Sequence, residues 1–422
     1  MSDATRSLTQ AITVVGIGED GCLSLTSRAM DAIMTAEVLA GSTRQLEFFP
    51  QFRGERLTWF SPNSAYVDQI IQHAQQQDIC VLASGDPLFY GIAHSLIARC
   101  GAAAVRVIPS VSSIQLACAR VGWAWDQVHL DSVHGRPLAG LVSRLQQVDR
   151  AALLTGGAQH PAAVAAHLSA FGETHWRCTV CEALGSPQER LRTFSVTELA
   201  QLDAADFHTL ALLLLERQAP KQGGLPLHCP DTDYQFRQPL NGLITKAPIR
   251  ALAVAQLALR PDSICWDIGA GSGSIAIEMA KQAWKGQTYA VECNPDCQAM
   301  IQANVIRHKT DHVQLVAAEA PDGLAQLPAP NAVFIGGSRG HLADILAQTL
   351  AVLKPGGILV VSAVTLDTVS DVWQFHQTTG TPVDVLLVNV AQGQPMARHV
   401  RYAAENPIHL FIFKPVIQED RA

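Results

Sequence analysis

The stretch Cys265-Trp-Asp-Ile-Gly269-Ala-Gly271-Ser-Gly273-Ser274 constrains the fold of this chain more than any other. Apolar, β-prone residues run into three glycines at alternate positions, and a helical pattern over Ser274–Lys281 follows at once. A strand that turns into a helix through glycines makes a cradle. Without Cβ atoms the loop can approach a ligand closely, and the helix N-terminus aims its free N–H groups at it. Such a unit belongs to an α/β fold.

The spacing is G-x-G-x-G, whereas the dinucleotide fingerprint, G-x-G-x-x-G, carries its third glycine one place later. A pyrophosphate needs that extra turn; the amino-acid part of S-adenosylmethionine does not. Glu292 closes the next strand, Tyr289-Ala-Val-Glu292, where a carboxylate can accept two hydrogen bonds from ribose hydroxyls. Further on come Ala318-Glu-Ala320-Pro321, Phe334-Ile-Gly-Gly-Ser338 and Leu353-Lys-Pro-Gly-Gly-Ile-Leu-Val360. In this order the set resembles the class I, Rossmann-like methyltransferases. The resemblance implies S-adenosylmethionine held by Gly269, Ala270, Gly271, Ser272, Gly273, Glu292 and Ala320. Upstream, Gly242-Leu-Ile-Thr245-Lys246-Ala-Pro-Ile-Arg250, with Pro230-Asp231, Phe236 and residues 334–340, resembles a smaller family. That family methylates carbon 15 of a precorrin and removes the acetate carboxylate on carbon 12. It implies that Thr245 touches the cofactor.

The N-terminal half carries a different set. Val14-Val-Gly16-Ile-Gly18-Glu-Asp-Gly21 follows the first strand. Then come Ala36–Gly41, Ser84-Gly85-Asp86-Pro87, Ile108-Pro-Ser110-Val-Ser112-Ser113 and Val180–Arg190. Ser-Gly-Asp-Pro after an apolar strand is a tight turn with local carboxylate hydrogen bonds. Together these segments resemble the tetrapyrrole methylases, whose cofactor lies between two α/β lobes. The resemblance implies cofactor contacts at Gly16, Gly18, Gly85, Asp86, Ser112 and Ser113. Many members carry glycine where this chain has Ser110. Val133-His134-Gly135-Arg136 favours the branch that acts on carbon 5.

The chain has 422 residues, long enough for two or three domains. Strand and helix patterns alternate over residues 11–215, break in a Pro- and Gly-rich stretch, and restart with a helix over Ile249–Leu259. The expected organisation is a tetrapyrrole methylase domain of two α/β lobes over 1–216, a linker over 217–240, and a Rossmann-like class I domain over 241–422. Hydrophobic residues at 48% and charged residues at 16% suit full cores and exclude disorder. A net charge of −7, with no basic patch, argues against nucleic acid as partner. No apolar run approaches the ~20 residues of a membrane span, so no membrane partner is expected and the cytoplasm is the expected location. Ten scattered cysteines include Cys178-x-x-Cys181 and Cys293-x-x-x-Cys297, but no second pair or His pair at finger-like spacing stands near either, and they read as reduced, buried thiols.

A fusion of these two halves resembles the C5,15-methylating, decarboxylating precorrin methyltransferases of cobalamin biosynthesis. It implies a small tetrapyrrole substrate, one S-adenosylmethionine per domain, and self-association, since related class I domains form tetramers. A sulfonium methyl is already activated, so neither a metal nor a protein nucleophile is expected. Cations should position the substrate's carboxylates. The candidates are His134 and Arg136 in the first domain and Lys246, Arg250 and Arg339 in the second, with His341 a weaker one. The rivals are an RNA or protein methyltransferase on the same folds, a nicotinamide-dependent oxidoreductase, and a chain in which only one domain is active.

Overall fold

The computed structural model describes residues 11–219, 226–237 and 244–414. Gly242 and parts of the expected linker, 220–225 and 238–240, lie outside them. The chain forms two compact units. The first takes residues up to Pro137, then Val148–Ser169 and Thr174–Ala219; the second takes Leu138–Gln147, Ala170–Glu173 and the chain from Pro220 onward.

The first unit holds two five-stranded sheets. One is wholly parallel, in the order Glu55–Thr58, Val38–Gly41, Ile79–Ser84, Ile12–Ile17, Val105–Ile108. Its three central strands are buried on both faces, as covered parallel strands are, and the two edge strands are partly open to solvent. Ile12, Val14 and Val81 pack on Tyr66 and Ile70 of the helix Asn63–His73, while Val15, Ile17 and Leu82 face Ile33 and Phe49. The other sheet runs His129–Ser132, Arg150–Leu154, Ala211–Arg217, Trp176–Glu182, Arg190–Ser195. It is antiparallel apart from its first pair.

The second unit is built on a seven-stranded sheet: Val313–Val316, Gln287–Val291, Ile264–Ile268, Ala332–Ile335, Ile358–Ala363, Ile408–Phe413, Val383–Val388. The first five strands are parallel, and Ile408–Phe413 runs antiparallel to both neighbours. Alternation along Ile264–Ile268 sorts the core. Trp266 and Ile268 join Ile345 and Phe411 on one face, and Cys265 joins Ile249, Met279 and Phe334 on the other. The chain leaves Ile264–Ile268 toward Gln287–Val291 on one side and later adds Ala332–Ile335 on the other. That reversal opens a crevice at the C-terminal strand ends.

Residues from the N-terminal half complete this unit. The short helix Leu141–Leu145 has its Val142 and Ser143 N–H groups, both at 3.0 Å, accepted by the Asp311 carboxylate. Glu173, fully buried, pairs with Lys309. A two-stranded hairpin, Ala391–Met396 with His399–Ala404, carries almost wholly exposed side chains. Among the described residues no helix is long and apolar enough to cross a membrane.

Candidate functional site

In the second unit the strand Ile264–Ile268 ends in the glycine loop. Gly269 and Ala270 donate to the Val291 carbonyl at 3.0 and 3.1 Å, and Gly273 donates to Ala270 at 2.8 Å. Gly269 sits at φ +70°, and a Cβ there would lie 2.5 Å from the Gly337 carbonyl oxygen. The ends of the two central strands therefore touch backbone to backbone, which only glycine permits. Gly273 starts the helix Ser274–Gln282.

Beside this loop lies a cavity of about 300 Å³. Thr245, Gly269, Ala270, Gly271, Ser272, Glu292, Ala320 and Arg339 all line it, as the sequence reading expected of a site. Gly273 does not line it but shapes the turn. Glu292 accepts from Gly271 N–H through Oε2 and from Asn294 N–H through Oε1, each at 2.8 Å. Oε1 also accepts from the Cys293 thiol at 3.8 Å, which leaves the further lone pair on Oε2 for a ligand hydroxyl. Ser272 is only 2% exposed, and its hydroxyl has no hydrogen-bond partner among the described residues. A buried, orphaned polar atom in a cavity wall costs free energy unless a ligand or water meets it. The glycine cradle, the carboxylate and this hydroxyl fit the amino-acid and ribose parts of S-adenosylmethionine.

Asp267 lines the same cavity and was not among the expected residues. Its Oδ2 accepts from the Ala276 N–H at 2.9 Å, which ties strand end to helix start. Burial pushes its carboxyl up to about 7; the Ala276 N–H pulls back, and Glu292 adds to the rise. The sequence did carry a signal, because a carboxylate that ends a buried strand needs a reason.

Three expected substrate contacts fall elsewhere. Lys246 is outside the cavity wall, half-exposed, with its Nζ 3.8 Å from Asp231. Arg250 is fully buried and corrects the reading of it as a substrate anchor. Its Nε contacts Glu278, Nη1 reaches Asp231 at 3.0 Å and the Thr245 carbonyl, and Nη2 meets the Cys229 carbonyl. Burial lowers its pKa, but the Glu278 carboxylate outweighs that and holds it above the ordinary arginine value. Its N–H groups are spent inside the protein, where they hold residues 229–231 and Thr245 in place. His341 precedes the helix Leu342–Val352 and is exposed outside the cavity. Arg339 remains, its Nη1 donating to Cys293 Sγ at 2.8 Å.

The first unit contains two cavities, of about 610 and 620 Å³, that share Glu19, Ser42, Arg44, Trp59, Thr209 and Leu210 as wall residues. Asp86, Ser112, Ser113, His134 and Arg136 line the former. Gly16 and Gly85 lie behind its wall: a Cβ on Gly16 would meet the Gly85 carbonyl oxygen at 2.1 Å and the Ser110 nitrogen at 2.7 Å. Gly18 is also outside the wall, packed on Asp20. Asp86 Oδ1 accepts from Leu88 N–H at 2.8 Å. The Ser112 hydroxyl accepts from Gln115 N–H at 3.2 Å and caps the helix Ser113–Val121. His134 Nδ1 donates to the Thr155 carbonyl at 3.3 Å, which leaves Nε2 as the acceptor of the neutral ring. The Arg136 guanidinium stacks 4.9 Å over the Tyr90 ring. Arg44 and Trp59 carry no sequence motif, and Tyr90, which closes the Val81–Gly91 segment, was not singled out as a site residue.

Residues 11–200 match the family described as Tetrapyrrole (Corrin/Porphyrin) Methylases, and residues 237–414 match the Precorrin methyltransferase domain. A precorrin-6Y C(5,15)-methyltransferase (decarboxylating) from a Sinorhizobium species is 35% identical over 399 residues, covering 94% of each chain. The chain belongs to this family. Relatives of about half the length match the family's parts. The cobalt-precorrin-7 C(5)-methyltransferase of Salmonella typhimurium is 35% identical over 49% of this chain and 100% of its own. A probable cobalt-precorrin-6B C(15)-methyltransferase (decarboxylating) of Methanothermobacter thermautotrophicus is 29% identical over 42% of this chain and 91% of its own.

Proposed function

We propose that this chain transfers two methyl groups from S-adenosylmethionine to carbons 5 and 15 of precorrin-6B. It also removes the carboxylate of the acetate on carbon 12, giving precorrin-8X in cobalamin biosynthesis. Residues 1–216 carry the carbon-5 reaction and 241–422 the carbon-15 methylation and decarboxylation, each with its own cofactor. One observation supports this above the rest: each unit has a glycine contact too tight for a Cβ, beside its own cavity, in a chain that aligns with 94% of a C(5,15)-methyltransferase relative.

S-adenosylmethionine supplies a methyl group already activated on a sulfonium. The chain's part is then to hold carbon, methyl and sulfur in line, which contributes several kcal/mol. Glycine loops set the approach; Glu292 and the orphaned Ser272 hydroxyl bind and orient in the second cleft. Arg136 and Arg339 take substrate carboxylates as planar guanidinium forks. For decarboxylation the ring system receives the electrons that carbon dioxide leaves behind, and loss of water around that carboxylate assists. The work takes place in the cytoplasm, where the ten free thiols stay reduced. Copies of the chain associate through the C-terminal domain. Leu386 and Leu387 on the edge strand, with Val400 and Tyr402 on the hairpin, offer exposed apolar surface for it.

The test is incubation of the whole chain with precorrin-6B and labelled methyl donor, followed by mass and carbon NMR analysis. Two labelled methyls and loss of carbon dioxide are expected. A Thr245→Ala, Glu292→Ala double variant should leave carbon 15 unmethylated; methylation there would rule out the second assignment.

A further inference from the structure

The first unit's cavities hold more machinery than a cofactor needs. Their walls carry two guanidinium groups, Arg44 and Arg136, and the exposed aromatic faces of Trp59 and Tyr90. Arg136 lines one cavity only; Arg44 lines both.

Arg44 differs from the other well-placed arginines of this unit in how little holds it. Arg56 donates to three backbone carbonyls, and Arg190 and Arg192 both close on Glu182. Among the described residues Arg44 has a single partner, the Glu19 carboxylate, in an ion pair through Nη1. A guanidinium offers five N–H donors in a fixed fork, so one carboxylate on one nitrogen leaves an edge free for a second. Its side chain is about a third exposed (35%), and that exposure opens to the cavities.

The backbone beneath it is fixed. Arg44 sits on the short helix Thr43–Glu47, closed by a capping box between Ser42 and Gln45. Gln45 Nε2 then donates to Ser84 Oγ at 3.2 Å. Ser84 precedes the Gly85-Asp86 loop, so Arg44 and the expected cofactor loop are tied into one frame. Catalysis by positioning needs this arrangement, in which a group that grips the substrate is rigidly placed against the methyl donor.

We propose that Arg44 is a second carboxylate anchor of the first cleft. Arg44 and Arg136 grip two carboxylate side chains of one flat macrocycle, Trp59 and Tyr90 cover its faces, and Glu19 keeps the Arg44 fork aimed at the cavity. This assignment rests on the carbon-5 reading of the unit and names which residue recognises the acidic periphery of the substrate.

Steady-state methylation by the whole chain, with precorrin varied at saturating S-adenosylmethionine, tests it, alongside calorimetric titration with S-adenosylmethionine alone. Arg44→Met should raise KM for the precorrin about 10- to 100-fold, the worth of a charge-assisted fork, with kcat within a few-fold. Arg44→Lys keeps the charge without the fork and should fall between. Cofactor affinity should not move, and that same titration reports folding of the variants. A precorrin with methyl-esterified side chains should bind the native chain and Arg44→Met alike. An unchanged KM in both variants overturns the proposal. So does a parallel loss of cofactor affinity, which would place Arg44 on the methionine carboxylate. If the native chain binds precorrin but never labels carbon 5, the functional reading fails; precorrin binding that still weakens in Arg44→Met would keep the anchor.

Discussion

Replacing Asp267 by asparagine should stabilise the second unit at neutral pH and do little in acid. The carboxyl is 1% exposed, and burial raises it from 3.8 to about 7. Below 3.8 it is protonated in the folded and the unfolded chain alike. Between 3.8 and 7 the unfolded chain gives up the proton and the folded chain keeps it, so stability falls as pH rises; above 7 both are ionised and the loss is complete. Three units at 1.36 kcal/mol each amount to about 4 kcal/mol. Asparagine keeps an acceptor for the Ala276 N–H and carries no charge, so it escapes this loss. Urea unfolding of the full chain, compared between pH 5 and pH 7, should show the gap between variant and native chain widen by about 2–3 kcal/mol. A gap that stays constant over that interval would mean Asp267 is ionised throughout, and the reasoning would be refuted. A bound sulfonium cation favours the ionised form, so cofactor affinity in this unit should climb as pH rises toward 7 in the native chain and stay flat in the variant.

Gly269→Ala and Gly16→Ala drive a Cβ to 2.5 and 2.1 Å from a backbone oxygen, respectively, at a cost of at least about 1–3 kcal/mol of local strain. Each should cut S-adenosylmethionine stoichiometry from two per chain to one; loss of both sites from one substitution would contradict separate clefts. Arg250→Met leaves Glu278 buried without its countercharge and should cost about 3–5 kcal/mol in thermal or chemical unfolding. If Arg250 instead gripped substrate, the same variant would raise KM and leave stability alone. Asp311→Ala strands the N–H groups of Val142 and Ser143 and should cost about 1–3 kcal/mol by the same unfolding measurement.

The glycine loops were legible because backbone geometry dictates them. A Cβ on Gly16 or Gly269 would meet backbone at 2.1 or 2.5 Å, and Gly85 stands at φ +61°, but the glycines pointed to a ligand only together with the ordered segments around them. Strands buried on both faces were equally visible. Within the alternation expected over residues 11–215, the strands Ile12–Ile17 and Ile79–Ser84 fall on its apolar runs. The helix expected over Ile249–Leu259 starts and stops two to three residues earlier, at Ala247–Gln256, because Pro248 fits the first turn. The exposed hairpin Ala391–Ala404 escaped, since its residues face solvent and show no apolar alternation.

Charged side chains were the hard part. A motif names a residue but not the direction of its side chain, and an arginine can turn inward as well as out. Arg250 lies one helical turn past Thr245 and was expected at the ligand, yet the nearby carboxylates of Glu278 and Asp231 draw it inside. Arg44 carried no motif at all and became visible only when the helix Thr43–Glu47 was placed against the cavity. Likewise, no pattern in residues 138–147 says that they join the second unit; Asp311, far along the chain, decides it by accepting their free N–H groups. Local backbone demands are written in adjacent residues and can be read one after another. Which charges meet, and across how many residues, depends on the three-dimensional field of partners that only folding brings together.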